Sequence, residues 1–192
     1  MKTQNFNQDH TVGKDAEYAA IQYMAEYHID DLSAVTIHDT KEQQKTGDAT
    51  FAFKNGDVRT YDMKFGRKKY KSFYAEIWSN YGHRPGWLVT ENVDYIVQTF
   101  GNNDFYITID FDKLRSGLKL RYDASHADIR YAEVNCDYSI SKQHNVSSTG
   151  KTLNTGQTIN IPWSAMKPFI TSVQALDGGK LVQKSFTDFL LA

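Results

Sequence analysis

The sequence lacks the residue patterns that mark several common classes of enzyme and metal protein. Its 192 residues include a single cysteine, Cys136, which excludes an internal disulfide framework and a thiolate zinc cluster. The six histidines show neither H-x₃-H nor H-E-x-x-H spacing, and neither G-x-x-x-x-G-K-[ST] nor G-x-S-x-G occurs. The sequence therefore predicts no zinc site, no P-loop and no serine-hydrolase nucleophile elbow.

The chain also lacks a strong charge of either sign and any long apolar run. Lys and Arg together number 22 against 23 Asp and Glu, which gives a formal net charge of -1. This balance argues against a histone-like basic protein and against a strongly acidic mimic of DNA, but it allows a local basic patch. No apolar stretch approaches the ~18–20 residues of a membrane span, and the N-terminal segment lacks the apolar core of a signal peptide. We therefore expect a soluble, intracellular protein.

The chain does have enough apolar and aromatic residues for a folded core. Hydrophobic residues make up 40% of it, including 12 Tyr and 11 Phe, so disorder along its whole length is not expected. Hydrophobic periodicity predicts the α/β class with a mixed sheet. We expect a single domain over residues 1–192, with a loose lead-in at 1–13 and a variable insertion at 119–157.

The positions of the helices and strands follow from the same periodicity. A helix is predicted over 14–28, where small and apolar residues recur at three- and four-residue steps. A polar loop is predicted at 41–47, a hairpin within 130–140, and short helices from Phe111 and within 165–170. Predicted strands cover residues 34–38, 49–53, 58–65, 72–79, 94–99, 105–110 and 159–161.

A strong β-hairpin signal lies between the second and third predicted strands, at Asn55-Gly56-Asp57. If these three residues form the turn, Lys54 lies opposite Val58, and one face of the hairpin carries Ala49, Phe51, Phe53, Arg59, Tyr61, Met63 and Phe65. A two-residue turn would instead set Phe51 and Phe53 against Thr60 and Val58. Because a slip of one residue exchanges the two faces of a strand, the three-residue turn is favoured.

The favoured register places polar residues together on the second face. Asp48, Asp62 and Lys64 fall there, with Asp48 opposite Lys64 and diagonal to Asp62. Two carboxylates this close repel each other unless a hard cation lies between them, and oxygen ligands suit Mg²⁺ or Mn²⁺. Such a cation polarises phosphoryl oxygens and lowers the pKa of a bound water, which Lys64 is positioned to orient. The pattern therefore predicts a metal site for phosphoryl chemistry.

These residues resemble the PD-(D/E)XK nuclease superfamily. Gly47-Asp48 matches its first acidic motif, and Tyr61-Asp62-Met63-Lys64 matches its D/E-x-K motif. Glu17, on the preceding helix, matches a glutamate that many members use as an additional acid of the metal site. Glu76 matches a glutamate that recurs beside the site in small phage and prophage members. The resemblance covers roughly residues 13–118, is weaker over 159–170, and is absent from 119–157.

The resemblance implies a restriction-endonuclease-like core, with a mixed sheet flanked by helices, and a Mg²⁺- or Mn²⁺-dependent nuclease acting on DNA. Asp48, Asp62 and Glu17 would bind the metal, Lys64 would orient the attacking water, and Glu76 would lie beside the site. The expected partner is double-stranded or branched DNA, without a membrane and with a homodimer allowed. The expected location is the cytoplasm, that of the bacterial host if a phage encodes the chain.

A basic run follows the D-x-K motif directly. Arg67, Lys68, Lys69 and Lys71 follow Lys64 within seven positions, which favours contact with phosphates over a merely solvated loop. Arg84, in a loop rich in Gly and Pro, is a further candidate for contact with nucleic acid.

Simpler interpretations remain open for these residues. Asp48 is also typical of a turn after glycine, Asp62 and Lys64 of an exposed strand pair, and Glu17 of a first-turn helix acid. A second alignment takes Asp62 as the first acid and Glu76-Ile77-Trp78 as the second motif, but Trp78 cannot replace an ammonium group. The alternative function is a catalytically weak or inactive module on the same scaffold that binds nucleic acid or protein.

Overall fold

The structure, a computed structural model, describes residues 6–39, 43, 46–101, 103–118, 120–123, 128–131, 138–146 and 152–192. It confirms the α/β class with a mixed sheet flanked by helices. The chain divides into two compact units. The first comprises residues 1–69, 92–111 and 169–192, and the second comprises residues 70–91 and 112–168.

The first unit contains a seven-stranded sheet, and the bounds of two of its helices are described. The long helix α1 spans Phe6–Tyr27, and the C-terminal helix α5 spans Phe186–Leu191. The strands lie in the order β1-β2-β3-β6-β7-β12-β13, and only β3 and β6 are parallel neighbours. Their bounds are Leu32–Ile37, Ala49–Phe53, Val58–Gly66, Tyr95–Phe100, Asn103–Asp110, Ile170–Asp177 and Lys180–Gln183 respectively.

Helix α1 packs its apolar stripe against one face of this sheet. Ala20, Ile21 and Met24 are buried together with Phe51 and Met63 of the hairpin, as the three- and four-residue spacing predicts. The helix begins at Phe6, so the predicted loose lead-in is wrong over residues 6–13, and residues 1–5 lie outside the described part. The first turns are polar and carry no apolar periodicity, which is why the sequence pattern misses them.

The second unit contains a four-stranded sheet in the order β10-β11-β4-β5 and a two-stranded sheet of β8 and β9. Alternate residues such as Phe73, Ala75 and Ile159 form its buried face. The strands β4, β5, β8, β9, β10 and β11 span Ser72–Asn80, Arg84–Pro85, Leu120–Asp123, Asp128–Tyr131, Ser139–Val146 and Thr152–Pro162. Helices α2, α3 and α4 span Trp87–Thr90, Phe111–Gly117 and Trp163–Met166. No helix in the described ranges is long and apolar enough to cross a membrane.

The polar segment before Trp163 differs most from the predictions. The predicted hairpin within 130–140 is wrong, because β9 pairs with β8 and β10 pairs with β11, while residues 132–137 lie outside the described part. The predicted short helix over 165–170 instead covers Trp163–Met166 and continues as a 3₁₀ turn at Lys167–Phe169. Pro168 explains the early end, since proline has no backbone N–H and cannot donate the next hydrogen bond of the α-helix.

In the hairpin of β2 and β3, the residues predicted to share one face do so, but their cross-strand partners differ from the predicted ones. Its turn is Lys54-Asn55-Gly56, closed by a 2.8 Å hydrogen bond from Phe53 N to Asp57 O. Ala49 therefore pairs with Tyr61, two residues from the predicted partner Met63. In a three-residue hairpin loop the last residue is left-handed, and Gly56, at φ 92°, meets that requirement. A shift of two residues leaves the faces unchanged.

The turn predicts a specific cost for a side chain at Gly56. A Cβ there meets no atom within 4 Å, so Gly56→Ala should cost only the backbone strain, about 1–2 kcal/mol of unfolding free energy in urea. Gly13→Ala is the matched control, because Gly13 lies within α1 and a Cβ there also meets no atom within 4 Å. This substitution should raise the free energy of unfolding by about 0.5–1 kcal/mol. Equal effects of the two substitutions would contradict this turn.

Candidate functional site

The chain enters β2 through a tight turn at Gly47 and Asp48. Gly47 has φ 74°, and a Cβ there would lie 2.7 Å from the Tyr61 carbonyl oxygen, so only glycine fits. The next residue then bonds to β3 twice: Asp48 N donates to Tyr61 O at 2.8 Å, and Met63 N donates to Asp48 Oδ2 at 2.7 Å. The Asp48 carboxylate thus replaces a strand carbonyl as the acceptor, and it is held at the sheet with the residue only 7% exposed.

Asp62 and Lys64 lie together on β3, as their spacing predicts. The Lys64 Nζ atom is 2.5 Å from Asp62 Oδ2, and Asp62 is only 5% exposed. The observed register differs from the predicted one by two residues, and Asp48 bonds to Tyr61 and Met63, which flank Asp62 in the chain. The predicted pairing of Asp48 with Lys64 is therefore wrong.

Glu17 adds a third carboxyl from α1. Burial, followed by repulsion from Asp48, raises its pKa to about 7, although attraction to Lys64 and Lys14 opposes part of this rise. Because α1 begins at Phe6, Glu17 lies well inside the helix, which removes its interpretation as a first-turn acid. The structure therefore brings together four predicted residues in the first unit: Glu17, Asp48, Asp62 and Lys64.

His38 is a site residue that the sequence pattern does not reveal. Its Nδ1 donates to Gly47 O at 2.9 Å, and its Nε2 lies 3.0 Å from the Thr50 hydroxyl. Its backbone N donates to Asp48 O at 2.9 Å. His38 thus stabilises the turn through two contacts, one from its ring to Gly47 and one from its backbone to Asp48. No sequence signal could find it, since the contact depends on how β1 pairs with β2.

The donor chemistry of this cluster fits a hard divalent cation. Glu17, Asp48 and Asp62 offer carboxylate oxygens, the ligands that Mg²⁺ and Mn²⁺ prefer. Burial is the main cause of the raised Glu17 pKa, and the second cause, repulsion by Asp48, is one that a bound cation would relieve. Among the described residues, no group of three or more His, Cys, Asp or Glu side chains has the geometry to hold a metal ion.

The residues of the basic run differ in their surroundings in the structure. The ammonium group of Lys69 donates to the carbonyl of Phe189, lies 3.4 Å from that of Leu190, and lies 4.4 Å from the Phe189 ring centroid. Burial lowers the pKa of Lys69. Lys69 therefore anchors α5, whereas the side chains of Arg67 and Lys68 in the first unit, and of Lys71 and Arg84 in the second, are exposed.

Glu76 belongs to the second unit. Its strand, β4, pairs with β11 and β5, whereas β3 pairs with β2 and β6. The strand of Glu76 therefore does not pair next to β3. Glu76 itself is half-buried and lies opposite Thr158.

Comparison of the chain with known protein families, with curated proteins and with solved structures finds no match. The function is therefore argued from the geometry of the site.

The raised pKa of Glu17 predicts a pH-dependent effect of Glu17→Gln on stability. Below the ordinary pKa of 4.5 the side chain is protonated in both folded and unfolded chains, so the two proteins should be equally stable. As the pH rises from 4.5 to about 7, the unfolded chain ionises first and the wild type loses stability. In EDTA at about pH 8, Glu17→Gln should be more stable by about 1–2 kcal/mol, allowing for solvent screening of this partly exposed group.

Urea unfolding at about pH 4 and pH 8 measures this difference, and the lower pH is the internal control. A Glu17→Gln protein with no advantage at the higher pH would show that burial and repulsion by Asp48 do not raise the pKa of Glu17.

Proposed function

We propose that this protein is a metal-dependent DNA phosphodiesterase of the PD-(D/E)XK type, similar to small phage and prophage members and active in the bacterial cytoplasm. The observation that carries the proposal is the cluster of Glu17, Asp48, Asp62 and Lys64, which a helix and two strands bring together around a buried turn. An ordinary exposed strand pair would not bury Asp62 to this extent, and its lysine would not interact with a carboxyl group on a helix, as Lys64 does with Glu17.

Each residue has a distinct role in this proposal. Asp48 and Asp62, with Glu17, would hold one or two Mg²⁺ or Mn²⁺ ions. The bound cation supplies Lewis-acid polarisation of a phosphoryl oxygen and lowers the pKa of bound water. The hydrogen bond from Met63 N fixes one oxygen of Asp48, so the carboxylate is pre-organised.

Lys64 would orient the attacking water by donating a hydrogen bond to its oxygen. Its ion pair with Asp62 fixes the direction of the ammonium group before the substrate arrives. The water oxygen forms the new bond to phosphorus, the P–O3′ bond breaks, and the products carry a 5′-phosphate and a 3′-hydroxyl. Glu76, on the second unit, stays a prediction for this site.

The exposed basic residues would bind the DNA backbone. Arg67 and Lys68 follow the end of β3, which carries Lys64, so they are placed to contact phosphates near the cleaved bond. Lys71 and Arg84 are further candidates on the second unit. Lys69 would act indirectly, by anchoring this loop to α5.

The proposed metal site predicts the effects of three substitutions. Asp48→Asn, Asp62→Asn and Lys64→Ala should each lower the rate of Mg²⁺-dependent DNA cleavage by about 100-fold or more, because each removes a metal ligand or the group that orients the water. Calorimetric titration with Mn²⁺ should show weaker binding for both aspartate variants. Asp104→Asn and Lys180→Ala change exposed residues elsewhere on the first unit and serve as matched controls.

Unchanged Mn²⁺ affinity in both aspartate variants would overturn the metal site. If the wild type binds DNA but cleaves none with Mg²⁺ or Mn²⁺, the chain is a non-catalytic binding module on the same scaffold.

The division of the basic run predicts two different phenotypes. Joint substitution of Arg67 and Lys68 by Ala should reduce the slope of log K against log salt for DNA binding by up to ~0.9 per lost phosphate contact. Lys69→Ala should instead lower the free energy of unfolding, because it removes the ammonium group from the end of α5. Salt titrations and urea unfolding of both variants separate these effects. If only Lys69→Ala reduces the salt slope, the assignment of Arg67 and Lys68 to phosphate contact and of Lys69 to α5 is contradicted.

A further inference from the structure

A cavity of about 380 Å³ opens in the first unit beside Glu17 and Asp48. One wall is the face of α1 that carries Lys14, Tyr18 and Ile21 at intervals of three and four residues. The opposite wall is the end of β1 and the residues after it, including Ile37. Its volume lies within the range of about 300–1,000 Å³ that small-molecule pockets occupy.

The cavity is lined by both apolar and acidic side chains. Ile21 is only 3% exposed, whereas Tyr18 and Ile37 are 50% and 42% exposed. Glu17 and Asp48 belong to the same lining. An aromatic ring and aliphatic side chains beside convergent polar groups are typical of a site that binds a flat, polar-edged ligand.

Glu17 and Asp48 line the cavity but are assigned to the metal, so the other charged side chains of the lining determine what the cavity can bind. These are the carboxyl groups of Asp15 and Asp39 and the ammonium group of Lys14. The two carboxyl groups disfavour an anion but accept hydrogen bonds from amino and imino groups on the edges of nucleobases. Both ring nitrogens of His38 already have partners, so Asp15 and Asp39 supply the acceptors.

We infer that this cavity binds the base of an unpaired nucleotide next to the phosphodiester that is cleaved. A base can stack on Tyr18 and offer its amino edge to the carboxylates, while its phosphate stays outside, at the metal site. A base within a duplex is paired and stacked, so only a single-stranded end or segment can supply it. The inference rests on the proposed function for the position of the phosphate, and it narrows the substrate to DNA with unpaired nucleotides.

The experiment compares three DNAs that share one duplex sequence. The first is blunt, the second carries a short single-stranded overhang, and the third carries the same overhang with abasic residues in place of the bases. The second and third carry equal numbers of phosphates, so their difference measures the bases alone. Binding is measured by fluorescence anisotropy in EDTA, where metal-dependent cleavage does not occur.

The wild type should bind the overhang with bases about fivefold or more tightly than the abasic overhang. Tyr18→Ala, and separately Ile37→Ala, should bring that ratio below about twofold. Tyr27→Ala is the matched control, since Tyr27 is an exposed tyrosine on the same helix that is not part of the cavity, and it should keep the wild-type ratio. Circular dichroism confirms that each variant is folded.

Equal affinity of the wild type for the two overhangs, or no measurable binding of any of the three DNAs, overturns the inference. The inference is also overturned if the ratio of the two affinities is unchanged in both Tyr18→Ala and Ile37→Ala, or if Tyr27→Ala abolishes it too. If the protein cleaves DNA with Mg²⁺ but shows no preference for the overhang with bases, the base-binding inference is overturned and the nuclease proposal is kept. If it prefers the overhang with bases but cleaves no DNA, base binding is supported and the nuclease proposal is overturned.

Discussion

The hydrogen bond from Met63 N to the Asp48 carboxylate is the interaction on which the candidate site depends. It exists because Gly47 turns the chain out of the β2–β3 ladder, which leaves a strand N–H without its usual carbonyl partner. The Asp48 carboxylate supplies the missing acceptor. The hydrogen bond that satisfies the Met63 N–H therefore also fixes this carboxylate beside Asp62. His38 holds the same turn from β1 through the Gly47 carbonyl.

A concentration of buried negative charge follows from this arrangement. Asp48 and Asp62 are almost fully buried, and Glu17 approaches them from α1 with a pKa raised to about 7. Lys64 offsets part of this charge through its ion pair with Asp62. Acids gathered in this way destabilise the fold unless protons or cations neutralise them, which is typical of sites kept for function rather than for stability.

The sequence predicted which residues share a strand face better than it predicted how the two strands pair. The spacing of Asp62 and Lys64, and the apolar face shared by Phe51 and Tyr61, follow from strand alternation and are confirmed. The register was wrong because it depends on which loop residue is left-handed. His38 and Lys69 were not predictable in their structural roles, since their partners, the Gly47 turn and α5, depend on tertiary packing. The second unit was largely missed because its long strands β10 and β11 are polar.

The central claim is that Asp48 and Asp62 share a divalent cation. The most direct test is a crystal of the full chain soaked in Mn²⁺, with data collected for anomalous scattering. We expect one or two anomalous peaks within about 2.0–2.3 Å of carboxylate oxygens of both Asp48 and Asp62. A fully occupied soak with Mn²⁺ bound elsewhere and no peak between these residues would contradict the account.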